Sequence, residues 1–257
     1  RQMSPLGSLK YQRFDPNPEV GLYDDNFLNT TEIGLHTRFA YKETFLEGEF
    51  ERISLGTKYP ILEFQVGFGF KDLLDGDYTY QKMEIAISDG IKLGVYGNTR
   101  YRLTAGKYFG TLPYPLLEIH NGNESYFYDR MAFNLMNFFE FVSDQYATFM
   151  VEHHFDGYLL NKIPLMRKLD WRSLVTFKGT WGTLSNENFT ANSNNTSDVK
   201  ERTIPIRSPN DVPYMEAGVG VENIFKILQV HAIWRLNYLD NPEASRFMVQ
   251  AGMYFAF

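Results

Sequence analysis

Long stretches in which apolar and polar residues alternate at every second position constrain this chain most. The clearest stretch is Phe247–Phe257, in which every odd-numbered residue is apolar. A side-chain period of two is that of a β-strand with one apolar face. Comparable patterns run over Trp171–Trp181, Met215–Val221 and Leu228–Tyr238. The sequence therefore predicts an all-β fold.

The alternation predicts about twelve strands in this chain. The others are expected at 8–14, 33–41, 47–55, 62–70, 79–93, 97–109, 126–141 and 147–155. Many of them reach ten residues, whereas strands of soluble sheets usually have about 5–6. A tilted strand needs about 9–11 residues to cross a bilayer. The lengths therefore favour a transmembrane antiparallel β-barrel.

The composition excludes several other classes of protein. The residues are 44% hydrophobic and 16% aromatic, which excludes a disordered chain. The mean hydropathy is −0.34, and no stretch free of Asp, Glu, Lys and Arg is longer than Phe247–Phe257, so a membrane-spanning helix is excluded. A formal net charge of −6 argues against a nucleic-acid partner. The chain contains no cysteine, and therefore no disulfide or thiolate metal site.

The predicted connections alternate between short and long. Short connections are expected at 55–58, 143–144 and 222–226, and long ones at 112–125, 156–169 and 184–212. Short turns at one rim and long loops at the other are typical of bacterial outer-membrane barrels. Because no linker divides the chain, we interpret residues 1–257 as one barrel domain, and we expect an N-terminal portion of the full protein to precede it.

The polar face of the predicted strands mixes isolated charges with glycines and small polar residues, as in a crowded lumen. We assign eight residues to a lumen polar network: Glu140, Glu152, Arg172, Lys178, Glu216, Glu222, His231 and Arg235. Opposite charges on neighbouring strands can pair across a sheet, and buried charges need partners. The network predicts a lumen filled by ion-paired side chains, with a polar path for a solute as the alternative.

Two of the long connections differ in character. The connection at 112–125 begins with an apolar, proline-stiffened run: Leu112, Pro113, Tyr114, Pro115 and Leu116. We expect this run to fold inward or to pack against a partner. The connection at 184–212 is rich in Asn, Ser and Thr, and we interpret its Asn-x-Ser/Thr matches at Asn188, Asn194 and Asn195 as by-products of a solvated loop. A surface ligand or partner site is the alternative.

No catalytic or cofactor motif is present in the sequence. It contains no Gly-x-Ser-x-Gly, Walker A or Rossmann glycine pattern, and its five histidines show no recognisable pairing with serine. Of the adjacent residues Glu152, His153 and His154, only the first and third share a strand face. We therefore expect no metal site, no cofactor and no enzymatic activity.

The chain ends in a strand whose last residue is aromatic. Tyr254, Phe255 and Phe257 match the C-terminal signal by which the outer-membrane assembly machinery recognises its substrates. This ending predicts that the assembly machinery is a partner during insertion.

Several blocks of the sequence resemble the C-terminal barrel of a Bacteroidota outer-membrane family of unknown function. The blocks are Asp25–Glu32, Gly48–Pro60, Gly110–Leu117, Asn134–Asn137, Glu140–Tyr146 and Glu216–Phe225. The resemblance implies that a carboxypeptidase-regulatory-like domain precedes the barrel in the full protein.

The barrel is also distantly similar to the superfamily of outer-membrane assembly and translocation barrels. Members of that superfamily have sixteen strands, and a conserved loop with an Arg-Gly pair folds into the lumen between the eleventh and twelfth strands, so that five strands follow it. In the present chain the 112–125 connection lacks the Arg-Gly pair, and six predicted strands follow it. The resemblance implies that this chain is the C-terminal part of a 16-stranded barrel.

These observations predict an integral β-barrel of the bacterial outer membrane that acts as a structural or accessory subunit in envelope biogenesis or in a transport complex. The expected partners are outer-membrane lipid, the assembly machinery and other outer-membrane subunits. A passive or gated channel for small solutes is the main alternative. Strand length, the alternating connections and the terminal Phe257 disfavour a soluble β-sandwich or an enzyme.

Overall fold

The structure, a computed structural model, describes residues 1–3, 28–49, 51–193, 208–209, 212–241 and 244–253. The predicted strand at 8–14 and the C-terminal residues Tyr254, Phe255 and Phe257 lie outside the described residues. Within these ranges the chain is mostly β. Among the helices of the described residues, none is both long and apolar enough to cross a membrane.

The elements of the fold are short helices and mostly long strands. In chain order the strands are β1 (Gln2–Met3), β2 (Leu28–Asn29), β3 (Glu32–Ala40), β4 (Thr44–Glu47), β5 (Arg52–Gly56), β6 (Ile61–Gly69), β7 (Tyr80–Lys92), β8 (Asn98–Phe109), β9 (Glu118–Ile119), β10 (Val142–Ser143), β11 (Gln145–His154), β12 (Arg172–Thr183), β13 (Tyr214–Ile224), β14 (Leu228–Arg235) and β15 (Phe247–Met253). The α-helices are α1 (Pro164–Leu169) and α2 (Asn186–Ser193), and single 3-10 turns lie at Gly94–Tyr96, Tyr114–Leu116 and Leu160–Lys162.

Nine strands form one antiparallel sheet in the order β15-β14-β13-β12-β11-β8-β7-β6-β3. Each of them corresponds to one of the twelve predicted strands. The short strands pair as β1 with β2, β4 with β5 and β9 with β10. Because directions alternate across nine strands, the edge strands β3 and β15 run in the same direction. No closed barrel is found among the described residues.

The two faces of this sheet have opposite character. The register aligns the apolar positions of all nine strands on one face. This outer face exposes large apolar side chains, among them Ile33, Leu35, Phe64, Ile85, Leu103, Phe177, Val219, Trp234 and Val249. The inner face carries polar and charged side chains, and on β11 to β15 many of them are buried. In a soluble protein the apolar face of an antiparallel sheet packs on the core and the polar face contacts water.

A long excursion separates β8 from β11, although these strands are neighbours in the sheet. We call residues 110–144 the inserted segment. It folds back over the inner face, where Phe133, Met136 and Phe141 form a buried cluster with Tyr214 of β13.

The predicted strand at 126–141 is wrong, because this part of the inserted segment is a series of turns. Asparagine side chains bond to the backbone there and compete with strand pairing. Asn134 donates to the carbonyl of Asp129 at 2.9 Å, and Asn123 donates to that of Phe127 at 2.7 Å. Five strands of the main sheet therefore follow the inserted segment, not six.

One predicted short connection is wrong, and another is displaced. Ser143 and Asp144 do not join neighbouring strands but end the inserted segment, since β10 pairs with β9. The short connection predicted at 55–58 lies two residues later, at 57–60, where it joins β5 to β6, although these two strands do not pair. The strand predicted at 47–55 is part of the hairpin of β4 and β5, whose tip is closed by a 2.8 Å hydrogen bond from the Gly48 amide to the Glu51 carbonyl. The predicted strand at 47–55 therefore contains a turn. The short connection predicted at 222–226 is confirmed between β13 and β14.

The inserted segment also reaches the free edge of β15. The Tyr128 amide donates to the Ala251 carbonyl at 2.8 Å, and the Ala251 amide donates to the Tyr126 carbonyl at 3.0 Å. Unpaired backbone groups at a sheet edge favour pairing with other chains. These two hydrogen bonds provide partners within the chain for some of the backbone groups at the β15 edge.

We predict that Gly106→Ala destabilises the fold. Tyr146 lies directly across from Gly106 in the register of β11 and β8, and a Cβ at Gly106 would lie 2.6 Å from its ring. The ring would have to move, and its 2.5 Å hydrogen bond to Glu84 would be lost. We expect the free energy of unfolding in detergent to fall by about 1–3 kcal/mol.

Gly90→Ala is the matched control for this substitution. Gly90 is also a strand glycine, and a Cβ there meets no atom within 4 Å. Urea titration should show little change for this variant. Equal effects of the two substitutions would contradict the packing of Tyr146 on Gly106.

Candidate functional site

The inner face of β11 to β15 forms a buried polar layer beneath the inserted segment. We define the polar layer as Glu152, His154, Lys178, Glu216, Glu222, His231, Arg235 and Gln250, all of which are buried. Strand pairing places Lys178 across from Glu216, and Glu216 across from Arg235. Three alternating charges therefore lie in one row across three strands. Of the other residues predicted for the lumen, Glu140 lies in the inserted segment, and Arg172 is only half-buried.

Arg235 binds the inserted segment through a two-point ion pair with Glu140. Its Nη1 and Nη2 atoms donate to the two carboxylate oxygens at 2.9 and 2.6 Å. Nη1 also donates to the Leu135 carbonyl at 3.1 Å. Burial alone would raise the pKa of Glu140, but the guanidinium holds it below its ordinary value. This arrangement fixes both position and orientation of the segment.

Glu216 binds the same segment with the opposite charge. Its two carboxylate oxygens accept hydrogen bonds from the backbone amides of Asn134 at 2.8 Å and Leu135 at 3.0 Å. Lys178 donates at 2.7 Å to two backbone carbonyls, those of Asp129 and Ala132. The cations thus bind carbonyls and the anion binds amides, so the backbone of the inserted segment complements the charge row.

His154 links two strands of the polar layer. Its Nε2 lies 2.8 Å from Glu152, and its Nδ1 lies 2.8 Å from Glu222. Such an arrangement suits an imidazolium, which donates from both nitrogens. The other Glu152 oxygen accepts a 2.8 Å hydrogen bond from the hydroxyl of Tyr128. Within the described residues, no group of three or more His, Cys, Asp or Glu is arranged for a metal ion.

Two further residues complete the polar layer near the sheet edge. The ring of His231 stacks on Tyr128 with centroids 3.6 Å apart, and its nitrogens have no hydrogen-bond partner in the described part of the chain. The Gln250 amide donates to the carbonyls of Ser125 at 2.8 Å and Asn134 at 3.3 Å. All five strands from β11 to β15 therefore contact the inserted segment through side chains of the polar layer.

The apolar run predicted to fold inward lies at the beginning of the inserted segment. Leu112 and Pro113 are buried, and Tyr114, Pro115 and Leu116 are half-buried. Leu112 packs in a cluster with Tyr80.

Helix α2 holds this run by side-chain hydrogen bonds to its backbone. The Asn188 carbonyl oxygen accepts from the Leu112 amide at 2.7 Å, and that of Asn192 accepts from the Tyr114 amide at 2.8 Å. The interpretation of Asn188 as part of a solvated loop is therefore wrong, since its side chain is buried and bonded. Asn194 and Asn195 lie outside the described residues.

A serine–histidine contact was not expected from the sequence. His120 Nε2 lies 2.9 Å from Ser143 Oγ, and its Nδ1 faces Thr180 Oγ1 at 3.3 Å rather than a carboxylate. Ser143 and His120 are both buried, with exposed fractions of 0% and 2%. The pair is thus enclosed, and it connects β10 to the residue that follows β9 within the inserted segment.

The sequence also missed Tyr128, Asn134, His154 and Gln250 as members of the site. The alternation places His154 and Gln250 on the same face as Glu152 and His231, and this signal was available. Tyr128 and Asn134 lie in the stretch taken for a strand, where repeated asparagines between 121 and 137 indicated turns.

We predict that Glu140→Gln strongly destabilises the protein. Arg235 would keep its buried charge without a carboxylate, and breaking such a pair costs about 3–5 kcal/mol. The control is Glu47→Gln, because Glu47 lies 3.5 Å from Arg52 in an exposed pair worth less than about 1 kcal/mol. Urea unfolding in detergent measures both. Similar small losses would show that the Glu140 pair does not hold the segment.

A second prediction concerns His120 and pH. Burial lowers the pKa of His120 to about 4, so between pH 4 and 6.5 the unfolded chain binds more protons. The wild-type free energy of unfolding should fall, relative to His120→Gln, by up to about 3 kcal/mol as the pH drops from 6.5 to 4.

Comparing the two proteins isolates His120 from other groups. Burial and the nearby Glu84 carboxylate raise the pKa of Glu118 to about 7, which lowers stability as pH rises, but Glu118 is present in both proteins. Unfolding midpoints measured every half pH unit test the difference. A pH-independent difference would contradict a buried neutral imidazole.

Comparison with known proteins gives one family. The C-terminal domain of DUF5686, a family of unknown function, matches residues 10–190. The match includes the strands from β3 to β12 and the whole inserted segment. A search of curated proteins found no match. Because the match spans more than half of the chain, the protein belongs to this family of unknown function.

Proposed function

We propose that the chain is an integral β-barrel of the bacterial outer membrane and that it serves as a structural or accessory subunit in envelope biogenesis or in a transport complex. The proposal includes no catalytic activity. Its partners are outer-membrane lipid, the assembly machinery acting through the C-terminal strand, and other outer-membrane subunits. The observation that carries it is the inverted polarity of the main sheet.

The outer face is too large and too apolar for water. Nine strands spaced about 4.8 Å apart give a face on the order of 1,000 Å², whereas the apolar patches of soluble monomers rarely exceed a few hundred Å². The side chains on this face remain exposed, for example Ile33 at 63% and Val219 at 51%. Contact with lipid chains would remove the unfavourable free energy of exposing these apolar side chains to water.

The dimensions of the strands support the same environment. Strands β7, β8 and β12 have 13, 12 and 12 residues. Trp171 and Trp181 lie near opposite ends of β12, roughly 33 Å apart along the strand. At a tilt of about 40° this gives a height of about 25 Å, which matches the apolar band between the aromatic girdles of outer-membrane barrels.

The corrected strand count supports the distant similarity to the assembly and translocation superfamily. Five main-sheet strands follow the inserted segment, the number that this superfamily places after its lumen loop. Because the edge strands β3 and β15 run in the same direction, an odd number of further strands has to lie between them to close an all-antiparallel barrel. A 16-stranded barrel needs seven beyond these nine.

The filled inner face favours a structural or accessory role over an open channel. The inserted segment covers the inner face of β11 to β15, and the charge row of Lys178, Glu216 and Arg235 is fully engaged in holding it. One observation favours the alternative of a solute channel: a cavity of about 810 Å³ lies beside β8. Planar-bilayer recordings separate the two, since a filled lumen predicts no conductance steps and a channel predicts reproducible ones.

We predict that Val219→Arg blocks membrane insertion. Val219 lies at the middle of β13 on the outer face, and an arginine at the bilayer midplane costs about 2–4 kcal/mol. The folded fraction in phospholipid vesicles under urea should fall, whereas Val219→Leu should behave as wild type. A chain that stays soluble without detergent, or that tolerates Val219→Arg, would overturn the membrane assignment.

A further inference from the structure

Two adjoining cavities lie between the inserted segment and the inner face of β8 and β11. Their volumes are about 810 and 540 Å³, and small-molecule sites commonly measure 300–1,000 Å³. Arg100, Arg130, Met131 and Glu152 line both cavities. We propose that this place binds a small organic anion with a phosphate group, and that Arg100 and Arg130 hold the phosphate.

Arg100 lacks the partner that the sheet register offers it. Strand pairing places Arg100 across from Glu152, but the Glu152 oxygens are bound to His154 and Tyr128, each at 2.8 Å. In the described part of the chain Arg100 forms no salt bridge. By contrast, Arg102 on the same face of β8 pairs with Glu63 at 2.6 Å.

Arg130 is also left without a carboxylate. Its neighbour Asp129 accepts a 2.7 Å hydrogen bond from the Met131 amide, which closes a local turn. Among the described residues, Arg130 makes no ion pair. The loop that carries it is fixed by Lys178, whose ammonium group binds the Asp129 carbonyl at 2.7 Å.

The charges around the larger cavity favour an anion. Its lining contains four cationic side chains, Arg100, Arg102, Arg130 and Lys178, and two carboxylates, Asp89 and Glu152. Glu152 is already shared by two donors, as described above. Arginine recognises phosphate through paired N–H donors, and a cleft with excess positive charge concentrates anions.

The remaining lining fits the organic part of such a ligand. The residues that line the larger cavity include three with hydroxyl groups, Ser54, Thr57 and Tyr59, and two methionines, Met131 and Met150. This mixture suits a polyol or sugar backbone better than a bare inorganic ion. The site goes beyond the proposed function, because it depends on the cavity and on two arginines rather than on the membrane role.

Calorimetric titration of the detergent-solubilised full chain with glucose 6-phosphate tests the proposal, with glucose as the uncharged match. We expect saturable binding of the phosphate ester and none of glucose. The double variant Arg100→Gln/Arg130→Gln should weaken binding at least tenfold. The control variant Arg167→Gln should leave binding unchanged, because Arg167 lies on α1 and lines neither cavity. The Arg100→Lys/Arg130→Lys variant should retain part of the affinity.

Thermal unfolding of each variant shows that it is folded before titration. Competition by phosphatidylglycerol added to the micelles would identify a lipid head group as the source of the phosphate, and its failure would identify a soluble ester. Absence of binding to the folded wild type, or equal binding by the double glutamine variant, would overturn the site. Neither result bears on whether the sheet lies in a membrane.

Discussion

The burial of charge on one face of the main sheet is the constraint on which the rest of the structure depends. Nine strands turn their apolar side chains outward, so their polar side chains have to find partners inside. On β11 to β15 most of these partners come from one excursion, the inserted segment, whereas Glu152, His154 and Glu222 also bind one another. Glu216 accepts hydrogen bonds from backbone amides, and Lys178 donates to backbone carbonyls. Arg235 donates both to a backbone carbonyl and to the carboxylate of Glu140. The fold of the segment is thus imposed by the sheet beneath it.

Side-chain alternation predicts the nine main-sheet strands because a period of two is a local property of the sequence. It fails where pairing is decided by contacts distant in the chain. Residues 126–141 alternate well enough to resemble a strand, yet Asn123 and Asn134 fold them into turns against Glu216 and Gln250. The contact of His120 with Ser143 joins residues near the two ends of the inserted segment. Side-chain alternation cannot predict such a contact between distant positions.

The site shows the same division between local and distant information. The polar positions of the strands predict which side chains share the inner face, and Lys178, Glu216 and Arg235 lie there in one row. Their ligands could not be predicted, because backbone groups of a loop leave no mark in the sequence. The sequence could not show that Arg100 and Arg130 lack an ion-pair partner in the described part of the chain. That depends on which oxygens of Glu152 and Asp129 already accept hydrogen bonds from other groups.

The central claim is that the outer face lies in lipid, and the native tryptophans test it most directly. Trp234 is in register with Ala217 and Phe177, and Trp181 lies four residues nearer the end of β12. In single-tryptophan variants folded into vesicles, brominated acyl chains should quench both, and bromine deep in the bilayer should quench Trp234 more than Trp181. Quenching of both by aqueous iodide, with none by brominated lipid, would contradict the account.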